Sequence, residues 1–284
     1  MTRNPAIAPE ATAVRVALWR ALHLQLDAPP PVVDDGLGLE LVAPKDGWRE
    51  RGDMHPVATR GARATVVARA RFVEDLVAEQ AANGVRQYVL LGAGLDTFAQ
   101  RRPELAARLR VFEIDQPGPQ AWKRARLVEL GHGVPDGLRL VPVDFEVDDW
   151  WACLVAAGFE ADRPAVVASL GVTMYLTHEA NLITLRQAAR LAPGSTLVIT
   201  FQLPLEMLDP VDRPGRAATE KGARAAGTPF ISFYPPDEIV ALARAAGLMD
   251  VRLVPAGLLA ERYFAGRGDG LRPSSGEDLL VAST

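Results

Sequence analysis

Cysteine is nearly absent: the chain has one, Cys153, so it can close no intrachain disulfide and build no cysteine-based zinc site. That usage suits a reducing cytoplasm. Histidine is scarce as well. His23, His55, His132 and His178 lie scattered with no paired ligand spacing, which argues against a metal centre. No apolar run approaches the roughly 18–20 residues of a membrane span, and residues 1–13 lack the continuous apolar stretch of a secretion signal. A net charge of −4 gives no general electrostatic case for nucleic acid or an anionic membrane as partner. Internal repeats and low-complexity tails are missing too.

What the chain does have is a hydrophobic content of 49%, ample for a core, and one informative segment. Val85 to Leu91 reads as a buried parallel strand that runs into Gly92-Ala93-Gly94-Leu95-Asp96-Thr97. Gly92 and Gly94 allow a tight turn and close approach of a ligand. The residues after Thr97 start a helix whose free N–H groups face the same spot. A dinucleotide fingerprint has glycine at the third position of G-x-G-x-x-G, but Thr97 stands there. This lowers an NAD reading and leaves a mononucleotide-like ligand such as S-adenosylmethionine (SAM).

The remaining strands follow at regular spacing. Arg110 to Asp115 ends in acids about twenty residues after the glycines, where a ribose is held in such folds. Leu140 to Phe145 closes on Asp144 beside an aromatic, a pair suited to an adenine. Pro164 to Leu170 and Thr196 to Phe201 are the fourth and fifth strands, and Val251 to Val254 and Leu279 to Ala282 the last two. The pattern predicts an α/β, Rossmann-like fold with a mostly parallel central sheet and helices on both faces. An N-terminal helical cap is expected over 1–80, broken at Pro29-Pro30-Pro31. The core is expected over 81–284, with an inserted cap segment near 203–235. Asp96 and Thr177 read as caps of the helices that follow them, and Gly247 as the C-cap of a helix starting at Pro235-Pro236-Asp237-Glu238.

Several segments in this order resemble a known family. Arg69-Ala70-Arg71-Phe72-Val73-Glu74-Asp75, Leu91 to Thr97, Phe112-Glu113-Ile114-Asp115-Gln116-Pro117, Gly171-Val172-Thr173-Met174-Tyr175-Leu176 and Arg262-Tyr263-Phe264 are similar to class I SAM-dependent methyltransferases of the leucine carboxyl methyltransferase-like family. The resemblance is closer still to the bacterial small-molecule O-methyltransferases of polyketide and secondary metabolism, and it covers nearly the whole chain. It implies SAM as cofactor and S-adenosylhomocysteine (SAH) as product. By this resemblance Arg69 pairs with the SAM carboxylate, Gly92 lies against its amino acid portion, and Ala93 and Gly94 belong to the same cofactor-binding loop. Asp115 holds the ribose, and Asp144 with Phe145 frames adenine. Family members often carry glutamate just before Gly-Val-Thr-Met-Tyr-Leu; here Leu170 stands there, so a polar contact near the methionine end is lost or made by backbone.

The expected reaction is methyl transfer to an oxygen, carboxylate or hydroxyl, of a small aromatic or carboxylic acceptor. A carboxylate or phenolate needs little general-base help, whereas an alcohol does. His23, beside Trp19 on the N-terminal helix, is the candidate substrate-facing histidine. Tyr175 is the second candidate, with packing beneath the sulfonium as its other reading. Trp19, Phe201, Tyr234 and Tyr263 are candidate walls of an acceptor pocket. Two alternatives stay open: N- or C-methylation of an indole- or peptide-derived molecule, and a non-catalytic SAM-binding protein. A homo-oligomer is compatible with each.

Overall fold

The computed structural model describes residues 9–145 and 147–284. Five short apolar runs form parallel strands: β1 Gln87–Leu91, β2 Arg110–Asp115, β3 Leu138–Pro142, β4 Ala165–Ser169 and β5 Thr196–Gln202. With β6 Asp250–Val254 and β7 Glu277–Ser283 they make a seven-stranded sheet, ordered β3-β2-β1-β4-β5-β7-β6. β7 alone runs against the direction of the other six strands. The strand order reverses between β1 and β4, the switch point at which open α/β sheets bind ligands beyond the carboxyl ends of their strands.

Eleven α-helices are described: α1 Ala11–Leu26, α2 Leu37–Val42, α3 Arg60–Ala82, α4 Phe98–Arg101, α5 Pro103–Ala106, α6 Pro117–Glu129, α7 Trp150–Ala156, α8 His178–Ala188, α9 Arg213–Ala225, α10 Pro236–Ala245 and α11 Ala256–Phe264. Because side chains alternate along a strand, each central strand feeds two cores. Tyr88 and Leu90 of β1 pack with Val67, Phe72 and Val77 of α3 and with Phe264 of α11. Val89 and Leu91 point the other way, toward Trp150 of α7, Leu185 of α8 and Ile239 of α10. Burial on both faces is why these strands read as continuous apolar runs rather than alternating ones.

Expectation and structure differ in two places. α3, which the sequence groups with the N-terminal cap, lies directly on the sheet, while α1 packs with Trp48, Met54 and Val66 in a separate small core. The third strand begins and ends earlier than Leu140 to Phe145. Val143 still donates to the Asp115 carbonyl at 2.9 Å, but the Asp144 N–H then bonds to the Asp148 carboxylate at 2.8 Å, which turns the chain out of the sheet. The expected caps are present: Asp96 Oδ1 accepts from Phe98 N at 2.7 Å, Thr177 Oγ1 accepts from Ala180 N at 3.2 Å, and Gly247 has φ +103°.

One cap comes from far away in sequence. Asp278 of β7 accepts from Ala256 N, at the start of α11, at 2.8 Å. Burial raises this carboxyl to about 6, against the lowering effect of the Ala256 N–H and with the help of neighbouring Glu277. A carboxyl whose folded pKa lies above its unfolded value stabilises the fold at low pH and loses that contribution as pH rises, here between about 4 and 6. Asp278→Asn keeps an acceptor for Ala256 N without the charge. The variant should therefore gain about 2 kcal/mol over wild type on going from pH 4.5 to pH 8. Urea denaturation of both proteins at the two pH values checks this; parallel pH profiles would contradict it.

Candidate active site

The residues expected around the cofactor converge at the carboxyl ends of β1, β2, β3 and β4. Gly92 N and Ala93 N both donate to the Ile114 carbonyl, at 2.9 and 3.0 Å, which folds the glycine loop against the end of β2. Gly92 has φ +70°, and a Cβ there would lie 2.5 Å from Val172 Cγ2, so any other residue is strained in its backbone and must displace the Val172 side chain. Asp115 sits at the end of β2. Its Oδ2 accepts from Gly94 N and its Oδ1 from Gln116 N, the latter at 2.7 Å. Burial raises the Asp115 carboxyl even though both N–H groups favour the charged form.

Glu113, two residues earlier on the same strand, has a different task. Burial pushes its carboxyl to about 7 against the pull of Lys123 of α6, with which it forms an ion pair in the interior. It braces α6 on the sheet and leaves the sheet edge to Asp115. Asp144 lies in the turn just beyond β3, with Gln116 Nε2 at 3.5 Å from its Oδ1. Phe145 is partly buried against the core that holds Trp150.

Arg69 reaches the same edge from α3. It is buried, and a Cβ on Gly171 would lie 2.7 Å from its Nη2, so the guanidinium rests against the backbone that follows β4. Gly171 has φ +73° and donates to Thr200 Oγ1 at 2.7 Å. Leu170 is partly buried in the core shared with α3, consistent with an apolar residue at that position. The structure also reveals a partner the sequence reading missed: Arg69 Nη1 donates to both oxygens of Glu277, each at 2.9 Å.

The N-terminal helix lies across the loop. A Cβ on Gly94 would stand 3.2 Å from Ala13 Cβ, and Arg20 Nη2 donates to the Leu95 carbonyl at 2.6 Å. Arg20 is held by Asp35, which is fully buried; Arg101 of α4 faces the same carboxylate at 3.7 Å. Burial works to raise Asp35, but the two arginines keep it below the ordinary carboxylate value. A charged cluster therefore fastens α1 to the glycine loop.

His23 has both ring nitrogens engaged within the protein. Nε2 accepts from Val32 N at 2.9 Å, so Nδ1 carries the proton and donates to Asp27 Oδ2 at 3.0 Å. Asp27 is also gripped by Arg63 through two bonds, at 2.7 and 3.2 Å. This arrangement joins α1, the Val32 segment and α3, and offers no free nitrogen to an acceptor. His23→Ala should cost about 1–3 kcal/mol of stability, because it leaves the buried Val32 N–H unsatisfied, and should leave SAM affinity unchanged. Denaturant unfolding and calorimetry check both parts; unchanged stability with abolished turnover would return His23 to the substrate.

The four candidate aromatic walls do not meet. Trp19 belongs to the small α1 core and donates to the Asp53 carbonyl at 2.8 Å; Phe201 and Tyr234 are buried on one face of the sheet; Tyr263 lies on the other face and bonds Asp75 at 2.8 Å. Other aromatics gather beside the site instead. Tyr175 meets Phe230 edge to face at 5.4 Å, and the Arg216 guanidinium lies 5.5 Å from the Phe230 ring and 5.3 Å from that of Phe233. Burial raises the Tyr175 hydroxyl, while nearby Arg15 and Arg69 favour its ionised form. That hydroxyl has no hydrogen-bond partner among the described residues. A surface cavity of about 370 Å³ between Pro29–Val32, Arg71 and Tyr263–Gly268 is lined by none of the residues expected at the cofactor.

A parallel sheet reversed at β1/β4, an antiparallel β7 inserted before β6, and a glycine loop facing an acid at the end of β2 define a Rossmann-like methyltransferase fold. Two solved structures share it over nearly their whole length. A DUF574 family protein from Streptomyces avermitilis superposes with a TM-score of 0.64, covering 97% of this chain and 98% of that one at 18% identity. A protein from Thermobifida fusca, provisionally described as a methyltransferase, gives 0.62 over 100% and 99%, also at 18% identity.

Sequence relatives go further than the fold. Residues 13–189 match the leucine carboxyl methyltransferase family. The provisionally named SAM-dependent methyltransferase YktD of Bacillus subtilis is 32% identical over 73% of this chain and 68% of its own length. A SAM-dependent methyltransferase of Mycobacterium sp. (strain JLS), also provisionally named, is 38% identical over 66% of this chain and 65% of its own. The chain thus spans just under two thirds of that mycobacterial relative. It belongs to the leucine carboxyl methyltransferase family of SAM-dependent methyltransferases, and SAM is its cofactor. No helix of the described residues is long and apolar enough to cross a membrane, and no group of His, Cys, Asp or Glu among them is arranged to hold a metal.

Proposed function

We propose that the protein methylates an oxygen of a small acceptor and that a carboxylate is the preferred one. SAM supplies the electrophilic methyl group. In this reading Arg69 binds the SAM carboxylate, Gly92, Ala93 and Gly94 present backbone to its amino acid portion, and Asp115 holds the ribose. Asp144 and Phe145 frame adenine, and Leu170 packs beside the methionine end. The residues suit this group: the loop glycines leave no Cβ in the way, Asp115 retains lone pairs beyond its two backbone bonds, and Arg69 Nη2 has no described hydrogen-bond partner.

The observation that carries the acceptor reading is Tyr175. A phenol is protonated at neutral pH, and burial raises this one further, so Tyr175 offers a hydrogen-bond donor. A donor orients an acceptor oxygen without removing a proton, which fits an acceptor already ionised at neutral pH. The Phe230 ring beside it offers a flat apolar face. His178, the nearest histidine in sequence, is exposed and lies 5.8 Å from the Tyr234 ring, in a tilted contact. The test is to incubate the protein with methyl-labelled SAM and panels of aromatic carboxylic acids, phenols and amines. Base-labile methyl esters support the reading; base-stable N-methyl products alone would overturn it.

A further inference from the structure

β7 enters the sheet from the cofactor edge, so its first residue, Glu277, pairs in register with Gln202, the last of β5. A carboxylate is thereby placed where the parallel strands end, although it lies 208 residues from Arg69 in sequence. Elsewhere on this edge the segments just past β4 and β5 present Leu170, Gly171 and Leu203, none of them charged. Glu277 is 7% exposed and Arg69 8%. Each Glu277 oxygen accepts from Arg69 Nη1, and Oε2 also accepts from Gln202 Nε2. Gln202 is fixed in turn by Arg216 of α9, which donates to its Oε1.

The bonding capacities are informative. A carboxylate has about four lone-pair sites; three bonds are made, and Oε1 retains one acceptor site. Arg69 spends only Nη1 on this pair, and its Nη2, against Gly171, has no described partner. An ion pair serving the interior alone would be expected to satisfy its remaining donors and acceptors, because unmatched buried charge is costly. This pair instead leaves an acceptor site on Glu277 Oε1 and the N–H donors of Arg69 Nη2 uncommitted. That is the complement of a zwitterion, the head group of a free α-amino acid.

Resting on the cofactor reading above, we infer that Glu277 is a specificity residue for SAM: it accepts a hydrogen bond from the α-ammonium group while Arg69 holds the carboxylate. Gln202 and Arg216 keep the Glu277 carboxylate aimed. The site therefore reads both charges of the amino acid end and discriminates against adenosyl compounds that lack either.

The test compares two ligands by calorimetry, SAH and the SAH analogue lacking only its α-amino group, on wild type, Glu277→Gln and Glu277→Asp. Wild type should prefer SAH by about 10- to 100-fold, the range for a hydrogen bond between charged groups. Both variants should lose this preference to within about threefold, through weaker SAH binding with little change for the analogue. Glu277→Asp retains the charge for Arg69 and keeps the comparison usable if the glutamine variant does not fold. If a variant weakens both ligands by the same factor, Glu277 only orients Arg69 and the inference falls. Undiminished preference for SAH in either variant also overturns it. Binding of neither ligand to wild type would remove the cofactor reading and this inference with it.

Discussion

Asp115→Ala should raise the dissociation constant for SAM by about 100-fold or more, the largest effect of any single substitution at this edge. Two losses combine. A buried charged acceptor for the ribose disappears, worth on the order of 2–4 kcal/mol. The glycine loop also loses its brace, since Gly94 N and Gln116 N both donate to this carboxylate. Asp115→Asn separates the two. Its amide oxygen can accept from one N–H, but its NH₂ group must face the other, so the loop is only half supported. The asparagine variant should fall between wild type and alanine. Unchanged SAM affinity in the alanine variant would show that the ribose is not held at the end of β2.

Arg69→Ala comes next, with an expected loss of about 30- to 100-fold in SAM affinity. The guanidinium lies against the backbone after β4, and its fork geometry suits a carboxylate. Because Arg69 also neutralises Glu277, the alanine variant leaves a buried carboxylate without its counter-ion and should be less stable as well. Arg69→Lys distinguishes binding from folding. It keeps a positive charge near Glu277 but cannot form the paired N–H contacts, so stability should largely return while SAM affinity stays reduced. Recovery of both would mean that Arg69 acts only as a counter-charge.

The glycine turn after β1 and the acid that faces it were legible because their signals are local. Val89-Leu90-Leu91 followed by Gly92 and Gly94 announces a strand that must turn sharply, and Asp115 closes the next strand at the spacing expected for a ribose. The β1, β2, β4 and β5 runs were legible for the same reason: strands buried on both faces are written as apolar blocks. Long-range pairing was not. Leu279 to Ala282 reads as a strand, but nothing near Glu277 says that β7 inserts antiparallel beside β5 and faces Arg69. Glu277 and Asp278 stand directly before that apolar run, and two acids in that position carry no sign of a partner 208 residues away.

His23 shows the opposite failure. A rare histidine on an amphipathic helix invites a catalytic reading, yet its partners are Val32 N and Asp27, set by a turn after α1 that composition does not specify. The aromatic residues misled for a related reason. Phe201 and Tyr234 belong to one core and Tyr263 to the other, a division fixed by which face of the sheet each helix covers. Phe230 and Phe233 lie in a Pro- and Gly-rich segment with no periodicity, so their approach to Tyr175 and Arg216 was invisible.

The most direct test of the account is calorimetric titration of the wild-type protein with SAM, SAH and NAD. Micromolar binding of SAM and SAH with no heat from NAD is the expected result. Binding of NAD without either sulfur ligand, or no binding of any of the three, would contradict the assignment of this sheet edge to SAM.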